Sequence, residues 1–295
     1  MPQKVKTNVF WMIIIPLWKR NCNFAIQTCH IMQTPYPSTP TSDILVIRIG
    51  QDTLSVLSKK GSMPPATATW EMKSGISVSA NLREALKTQP LLRSGEKATI
   101  LVDAPTLVVP EDEFSADQSA ACFTYTISGH ERDLKKHTVV KGLHAVVVFA
   151  IEKDLETVVS DHFTQYSFLP ASVPMWEHLA RQRSSHRRTL YGYFHDGKLD
   201  LVSFDKGRFL FCNTFSAAHV HDAVYYVLYA FSQMGMKAER DEVVIAGHTP
   251  HRKWIADNLQ SYVQRVTVAE AKDLGLDGDS SLPLDMIITL NNNDR

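Results

Sequence analysis

Leu190–Met236, LYGYFHDGKLDLVSFDKGRFLFCNTFSAAHVHDAVYYVLYAFSQMGM, carries the clearest structural pattern in the chain. Leu190 to Phe194, Leu199 to Phe204 and Phe209 to Thr214 are strand-like runs, separated by His195-Asp196-Gly197-Lys198 and Asp205-Lys206-Gly207-Arg208. Turns this tight need positive φ, which glycine adopts without steric cost. In the middle run Leu199, Leu201 and Ser203 take one face, and Asp200, Val202 and Phe204 the other. A partly buried antiparallel meander is expected. The next stretch sets Val220, Val224, Val227, Leu228, Phe231 and Met234 on one helical stripe, opening at Ser216 and stopping at Gly235.

Working outward, 295 residues are enough for a substantial core and two lobes of ordinary size. The 44% hydrophobic fraction argues for a globular chain, and 31 basic against 31 acidic residues lack the basic excess of a dedicated nucleic-acid binder. Cys22, Cys29, Cys122 and Cys212 show no C-x-x-C spacing and read as reduced thiols of a cytoplasmic protein. Val9 to Trp18 is apolar but about half the roughly 20 residues a spanning helix needs. No small-x-small cleavage site follows it. Met32 is the expected start, with residues 1–42 a non-native or disordered extension; a membrane-associated or exported amino terminus is the alternative.

The remainder divides into a first lobe, 43–182, and a second, 183–295. The first opens with a hairpin, Ile44 to Ile49 and Thr53 to Leu57, turning through Gly50-Gln51-Asp52. Ser77 to Leu86 reads as a helix with Ser79 or Asn81 as caps, Lys97 to Val102 as a strand, and Ala145 to Ile151 as a buried central strand. Phe123 to Ile127 and His137 to Val140 are expected to pair. Asp154 to Phe163 and Val173 to Gln182 are helical, around a strand at Tyr166 to Leu169. Beyond the meander, Glu242 to Ala246 is a buried strand, Thr249 and Pro250 start a helix with Trp254, Ile255, Leu259 and Tyr262 inward, and Val266 to Val268 and Met286 to Leu290 are final strands. Each half therefore opens with antiparallel strands and then alternates helix and strand.

This two-halved order resembles the actin-like ATPase superfamily, particularly its degenerate bacterial members that act as scaffolds in pilus and secretion machines. It looks closest to a bacterial domain-of-unknown-function family, sharing the hairpin start, the stretch Pro105 to Phe114 and a meander ending Asn213 to Phe215. The resemblance implies an α/β, two-lobed, RNase H-like duplicated architecture with mixed sheets flanked by helices. It also implies an Asp-x-Gly in the first hairpin, whose carboxylate organises Mg²⁺ while its amides cradle phosphate. Here Arg48-Ile49-Gly50 stands in that place. The second Asp-x-Gly is expected near Tyr191-Gly192-Tyr193, where no acid occurs. In the third element, Ala246-Gly247-His248-Thr249-Pro250, His248 replaces the second glycine. Two missing carboxylates imply a pseudoenzyme without Mg²⁺-dependent ATP hydrolysis.

Candidate residues follow. Arg48, Gly50, Gly247, His248, Thr249 and His251 are the expected remnant of a nucleotide or anion cleft, with ATP as the conceivable ligand. Arg181, Arg183, Arg187 and Arg188, with His186, form a basic patch suited to a protein contact or, alternatively, to RNA. Asp52, Asp103 and Asp200 are weighed as a relocated metal site against plain hairpin and edge roles. On a helix the two rings of His219-Val220-His221 diverge by about 200°, so no metal is expected there. No catalytic residue and no cofactor are assigned. The leading expectation is a non-catalytic scaffold or regulatory protein with protein partners; the alternatives are a nucleotide-binding protein with weak or no ATPase activity, and an RNA-associated accessory protein.

Overall fold

The computed structural model describes residues 43–92, 97–182, 187–277 and 282–293. The extension 1–42, Met32 and Arg183 lie outside the described residues. In chain order the elements are β1 (Ile44–Ile49), β2 (Thr53–Lys59), β3 (Ala66–Glu71), α1 (Val78–Thr88), β4 (Lys97–Val102), β5 (Thr106–Pro110), α2 (Ala116–Thr126), β6 (Leu134–Val140), β7 (Ala145–Ile151), α3 (Lys153–His162), β8 (Gln165–Pro170) and α4 (Ser172–Arg181). Then come β9 (Arg188–His195), β10 (Lys198–Asp205), β11 (Arg208–Ser216), α5 (Val220–Gln233), β12 (Glu242–Gly247), α6 (Arg252–Gln260), β13 (Val266–Val268) and α7 (Leu284–Asn293).

Two five-stranded sheets repeat one topology, β3-β2-β1-β4-β8 and β11-β10-β9-β12-β13. In each, an antiparallel meander comes first and two parallel strands follow, so β1 and β9, β2 and β10, and β4 and β12 occupy matching places. A third sheet, β5-β7-β6, is inserted in the first half. The tight turn Asp196-Gly197 has both residues at positive φ, 45° and 67°, which suits the twist of a two-residue hairpin.

The cores explain the layering. The first sheet buries Ile47, Ile49, Leu54 and Ile100 against Leu82 and Leu86 of α1 and Leu155 and Val159 of α3. The second buries Leu190, Leu199, Leu201 and Val243 under Val227 and Phe231 of α5 and Ile255 and Leu259 of α6. Between the sheets a further core gathers Met175, Trp176 and Leu179 of α4, Ile287 and Ile288 of α7, Tyr193 and Val202. The opposite flank of α7, Met286 and Leu290, packs on Ile44, Val46 and Leu57 of the first sheet.

Several sequence expectations need correction. Met286 to Leu290 is helix: residues Leu284 to Leu290 are all buried between two layers, so even Asp285 and Thr289, four apart on one face, turn inward, and the short apolar run Met286 to Ile288 by itself reads equally as strand. Phe123 belongs to α2, where it points inward one turn after Ser119. The edge strand β3 was not anticipated. Ser77 caps α1, accepting a 3.2 Å hydrogen bond from the Ala80 amide. Trp254 and Tyr262 are exposed rather than inward, and the meander strand β10 is buried on both faces. The helix α5 begins at Val220, since Ser216 still belongs to β11. No helix among the described residues is long and apolar enough to cross a membrane.

Candidate functional site

Every residue of β1 is buried, including Arg48 at 3% exposure. A guanidinium in that setting requires anionic partners, and it has two. Its Nε donates to both carboxylate oxygens of Asp285 at 3.0 and 2.9 Å. Its Nη1 and Nη2 donate to Oδ1 and Oδ2 of Asp196 at 3.3 and 2.7 Å, the two-pronged geometry that suits a carboxylate. Asp196 sits in the β9–β10 turn and Asp285 in the first turn of α7. One side chain of the first sheet thus holds the second hairpin and the last helix.

The network continues along the face of β9 that carries Tyr191, Tyr193 and His195. The Tyr193 hydroxyl donates to Asp285 Oδ2 at 3.2 Å, and its ring stacks on His195 at 5.0 Å between centroids. Each nitrogen of His195 faces a carboxylate, Nδ1 to Asp196 at 3.2 Å and Nε2 to Asp200 at 2.9 Å. Asp200 also accepts from the Thr214 hydroxyl at 2.6 Å. Beside this network, Lys198 Nζ lies 2.7 Å from both oxygens of Asp103, tying the same hairpin to the end of β4.

Electrostatics follow from this geometry. Burial works against the imidazolium of His195, but Asp200 and Asp196 outweigh it and raise its pKa to about 10. Burial likewise works against the Asp196 carboxylate, while hydrogen bonds from His195 and Arg48 hold it well below the usual carboxylate range. The Arg48 guanidinium is raised further despite its burial, chiefly by the Asp285 charge and the Asp196 hydrogen bond. Burial and the neighbouring Asp285 push the Tyr193 phenol well up. Tyr193 therefore stays neutral and serves as a donor.

Of the residues singled out from sequence, Arg48 and Gly50 meet at this crossing. A Cβ on Gly50 would stand 2.5 Å from Asp196 Oδ1 and 2.9 Å from Arg48 Nη1, so the carboxylate lies directly against the first hairpin's turn. Gly247 is close by for a different reason: at φ +88° it abuts the end of β9, and a Cβ there would fall 2.2 Å from the Phe194 carbonyl oxygen. His248 donates its backbone N–H to that same oxygen at 2.9 Å while its side chain is exposed. His251 is exposed and Thr249 half-buried. Arg48 and His248 do not converge, since the first is enclosed by carboxylates and the second faces solvent.

In the basic patch, Arg181 pairs with Glu177 at 2.9 Å and donates to Asn292 at 2.8 Å, and Arg188 donates to the Met234 carbonyl at 3.0 Å. Arg187 is exposed. Asp52, Asp103 and Asp200 do not gather: Asp52 is an exposed turn residue, Asp103 takes Lys198 and Asp200 takes His195. No cluster of three metal-ligating side chains occurs among the described residues. The residues present do not fit a Mg²⁺-nucleotide either. A cation replaces the metal-organising acid, and a carboxylate covers the turn that would cradle phosphate.

Tyr193, His195, Asp196 and Asp285 join the site without standing among the candidates the sequence offers. The two-residue alternation of β9 and β10 does place Tyr193, His195 and Asp200 on the face opposite Leu190 and Leu199. That alternation was the available signal, and it does not extend to Asp285.

Comparison with solved structures agrees with the topology. A Bacteroides thetaiotaomicron protein "with actin-like ATPase fold and unknown function" superposes with a TM-score of 0.76 at 20% identity, over 85% of this chain and 96% of that one. The "PilM-PilN type IV pilus biogenesis complex" gives 0.55 at 12% identity, over 87% and 100%. The chain thus has the actin-like ATPase fold. A search among curated proteins finds no match. Residues 33–266 match the family described as "Protein of unknown function (DUF3822)".

Proposed function

Since the chain belongs to that family of unknown function, membership supplies no activity, and from the site itself we propose a non-catalytic actin-fold protein that works through protein partners. One observation carries the reading. Arg48 and Asp196 form a largely buried ion pair against Gly50, in the first hairpin's turn, where the actin-like resemblance implies amides that cradle phosphate. An incoming triphosphate would have to displace a carboxylate held by a guanidinium and an imidazolium, and would meet Asp200 and Asp285 behind it. Coulomb repulsion at these separations opposes a polyanion. Hydrolysis by the superfamily's mechanism also lacks its metal-organising acid.

A scaffold role needs a rigid body with outward-facing contact surface, and the two sheets joined through α4, α7 and the ion-pair network supply the rigid part. PilM, of similar fold, forms a type IV pilus biogenesis complex with PilN, which favours protein partnership by analogy of fold alone. The RNA alternative is weaker, because Arg181 and Arg188 are engaged within the molecule.

Calorimetric titration of ATP, with and without Mg²⁺, into the folded protein tests the proposal. Absence of saturable binding at millimolar ATP is expected. Saturable binding by the wild-type protein would sink it, and its loss in an Arg48→Ala variant that circular dichroism shows to be folded would place the nucleotide at this crossing.

A further inference from the structure

We infer that Asp196 is a built-in anion ligand: Arg48, His195 and the Gly50 turn form a small-carboxylate site, and the protein fills it with its own second hairpin. This deepens the proposed function and rests on the same network. Two cations converge on the Asp196 carboxylate, Arg48 through two N–H groups at 3.3 and 2.7 Å and His195 Nδ1 at 3.2 Å. The third wall is Gly50, whose missing Cβ lets Oδ1 approach; an alanine there would place its Cβ 2.5 Å from that oxygen. Such convergence of guanidinium, imidazolium and a bare backbone turn is how a bound oxyanion is usually held.

The surroundings define what the site accepts. Asp285 lies on the far edge of Arg48, Asp200 on the far nitrogen of His195, and neutral Tyr193 bridges to Asp285. With Asp196 removed, Arg48 and His195 keep Asp285 and Asp200 on their far sides, so the vacated position offers N–H donors to one small carboxylate while the two remaining acids disfavour a dianion such as phosphate. The Asp196 side chain is 10% exposed, so the site lies just beneath the surface at the hairpin turn.

Opposite charges also alternate across the gap. The second hairpin presents Asp196 then Lys198, and the first sheet presents Arg48 then Asp103. The hairpin therefore ties the two sheets together through two crossed ion pairs. The left-handed conformation of Asp196, φ 45°, is tolerated by aspartate, asparagine and glycine better than by most residues, which allows the carboxylate to be removed without forcing the turn.

The test is chemical rescue in the full chain. Asp196→Gly deletes the equivalent of acetate. Its melting temperature is expected to fall by on the order of 5 °C, since Arg48 and His195 keep Asp285 and Asp200 but lose their hydrogen bonds to Asp196. Acetate or formate should recover at least half of that loss, by mass action on the folded state, while chloride at matched ionic strength and inorganic phosphate should not. The wild-type protein should respond to acetate no more than to chloride. Melting of Asp196→Gly at the wild-type temperature, or equal effects of acetate and chloride, would overturn the inference. Should that variant fail to fold, Asp196→Asn decides. It is expected to show no acetate response and hydrogen exchange at least about tenfold faster in the Gly50 and Asp196 turns; wild-type exchange there would overturn the inference. ATP binding by the wild-type protein would instead count against the proposed function and leave the acetate result to stand by itself.

Discussion

Gly247 and Gly197 both hold positive φ, yet a Cβ would meet very different surroundings at the two positions. At Gly197 nothing lies within 4 Å, so Gly197→Ala should cost only the left-handed penalty, about 1–2 kcal/mol. At Gly247 the added atom would overlap the Phe194 carbonyl at 2.2 Å as well as being strained, and Gly247→Ala should cost about 3 kcal/mol or more. Urea unfolding of both variants checks the contrast; equal midpoints would mean that the β9 and β12 ends are not in close contact. Arg48→Met is expected to be costlier still than an ordinary surface change, about 3–5 kcal/mol, because Asp196 and Asp285 would lose their shared cation in a buried setting. The sequence shows at once that Arg48 stands where the resemblance implies an acid. Its partners are 148 and 237 residues away in the chain, and no local pattern reaches that far.

At the scale of elements, legibility followed amphipathicity. The helices α1, α3, α5 and α6 bury one stripe each, and their apolar spacing marks them in the sequence even where their ends shift by a few residues. The strand β7, a run of seven buried residues, is equally plain. The helix α7 is less plain, since the short apolar run Met286 to Ile288 reads equally as strand and its helical cue, Asp285 and Thr289 four residues apart, is buried with the rest. Its position between two cores also makes it sensitive. Ile288, fully buried, faces the core between the sheets, and Ile288→Ala should lose about 2–5 kcal/mol. Trp254, 38% exposed on α6, should lose far less when replaced by alanine. Denaturation midpoints of the two variants separate these outcomes, and a mild Ile288→Ala would contradict the buried-helix placement.

At the scale of the whole molecule, the core between the sheets and the ion-pair network couple the two halves, and that coupling has a pH signature. His195 in the folded protein titrates at about 10, against an ordinary value of 6.5. A raised pKa means that the folded state holds a proton the unfolded chain has released. The stabilisation is therefore complete below about pH 6.5 and is lost as pH climbs through the folded value near 10. Asp196 has the opposite sign. Its folded pKa is depressed below 3.8, so its contribution is present above that value and fades in acid. Together they predict greatest stability from about pH 4 to 6.5, with a progressive decline on the alkaline side. Since His195 holds Asp196, which Arg48 of the first sheet holds as well, the decline should be felt by both sheets together. Calorimetric melting from pH 5 to 10 should give one cooperative transition whose midpoint drops steadily above pH 6.5. His195→Gln should melt lower at pH 6 but with a flatter alkaline limb, because the proton that links folding to pH is gone. An unchanged slope in His195→Gln would assign the alkaline loss to other groups, and two separate transitions would show that the crossed ion pairs do not couple the halves.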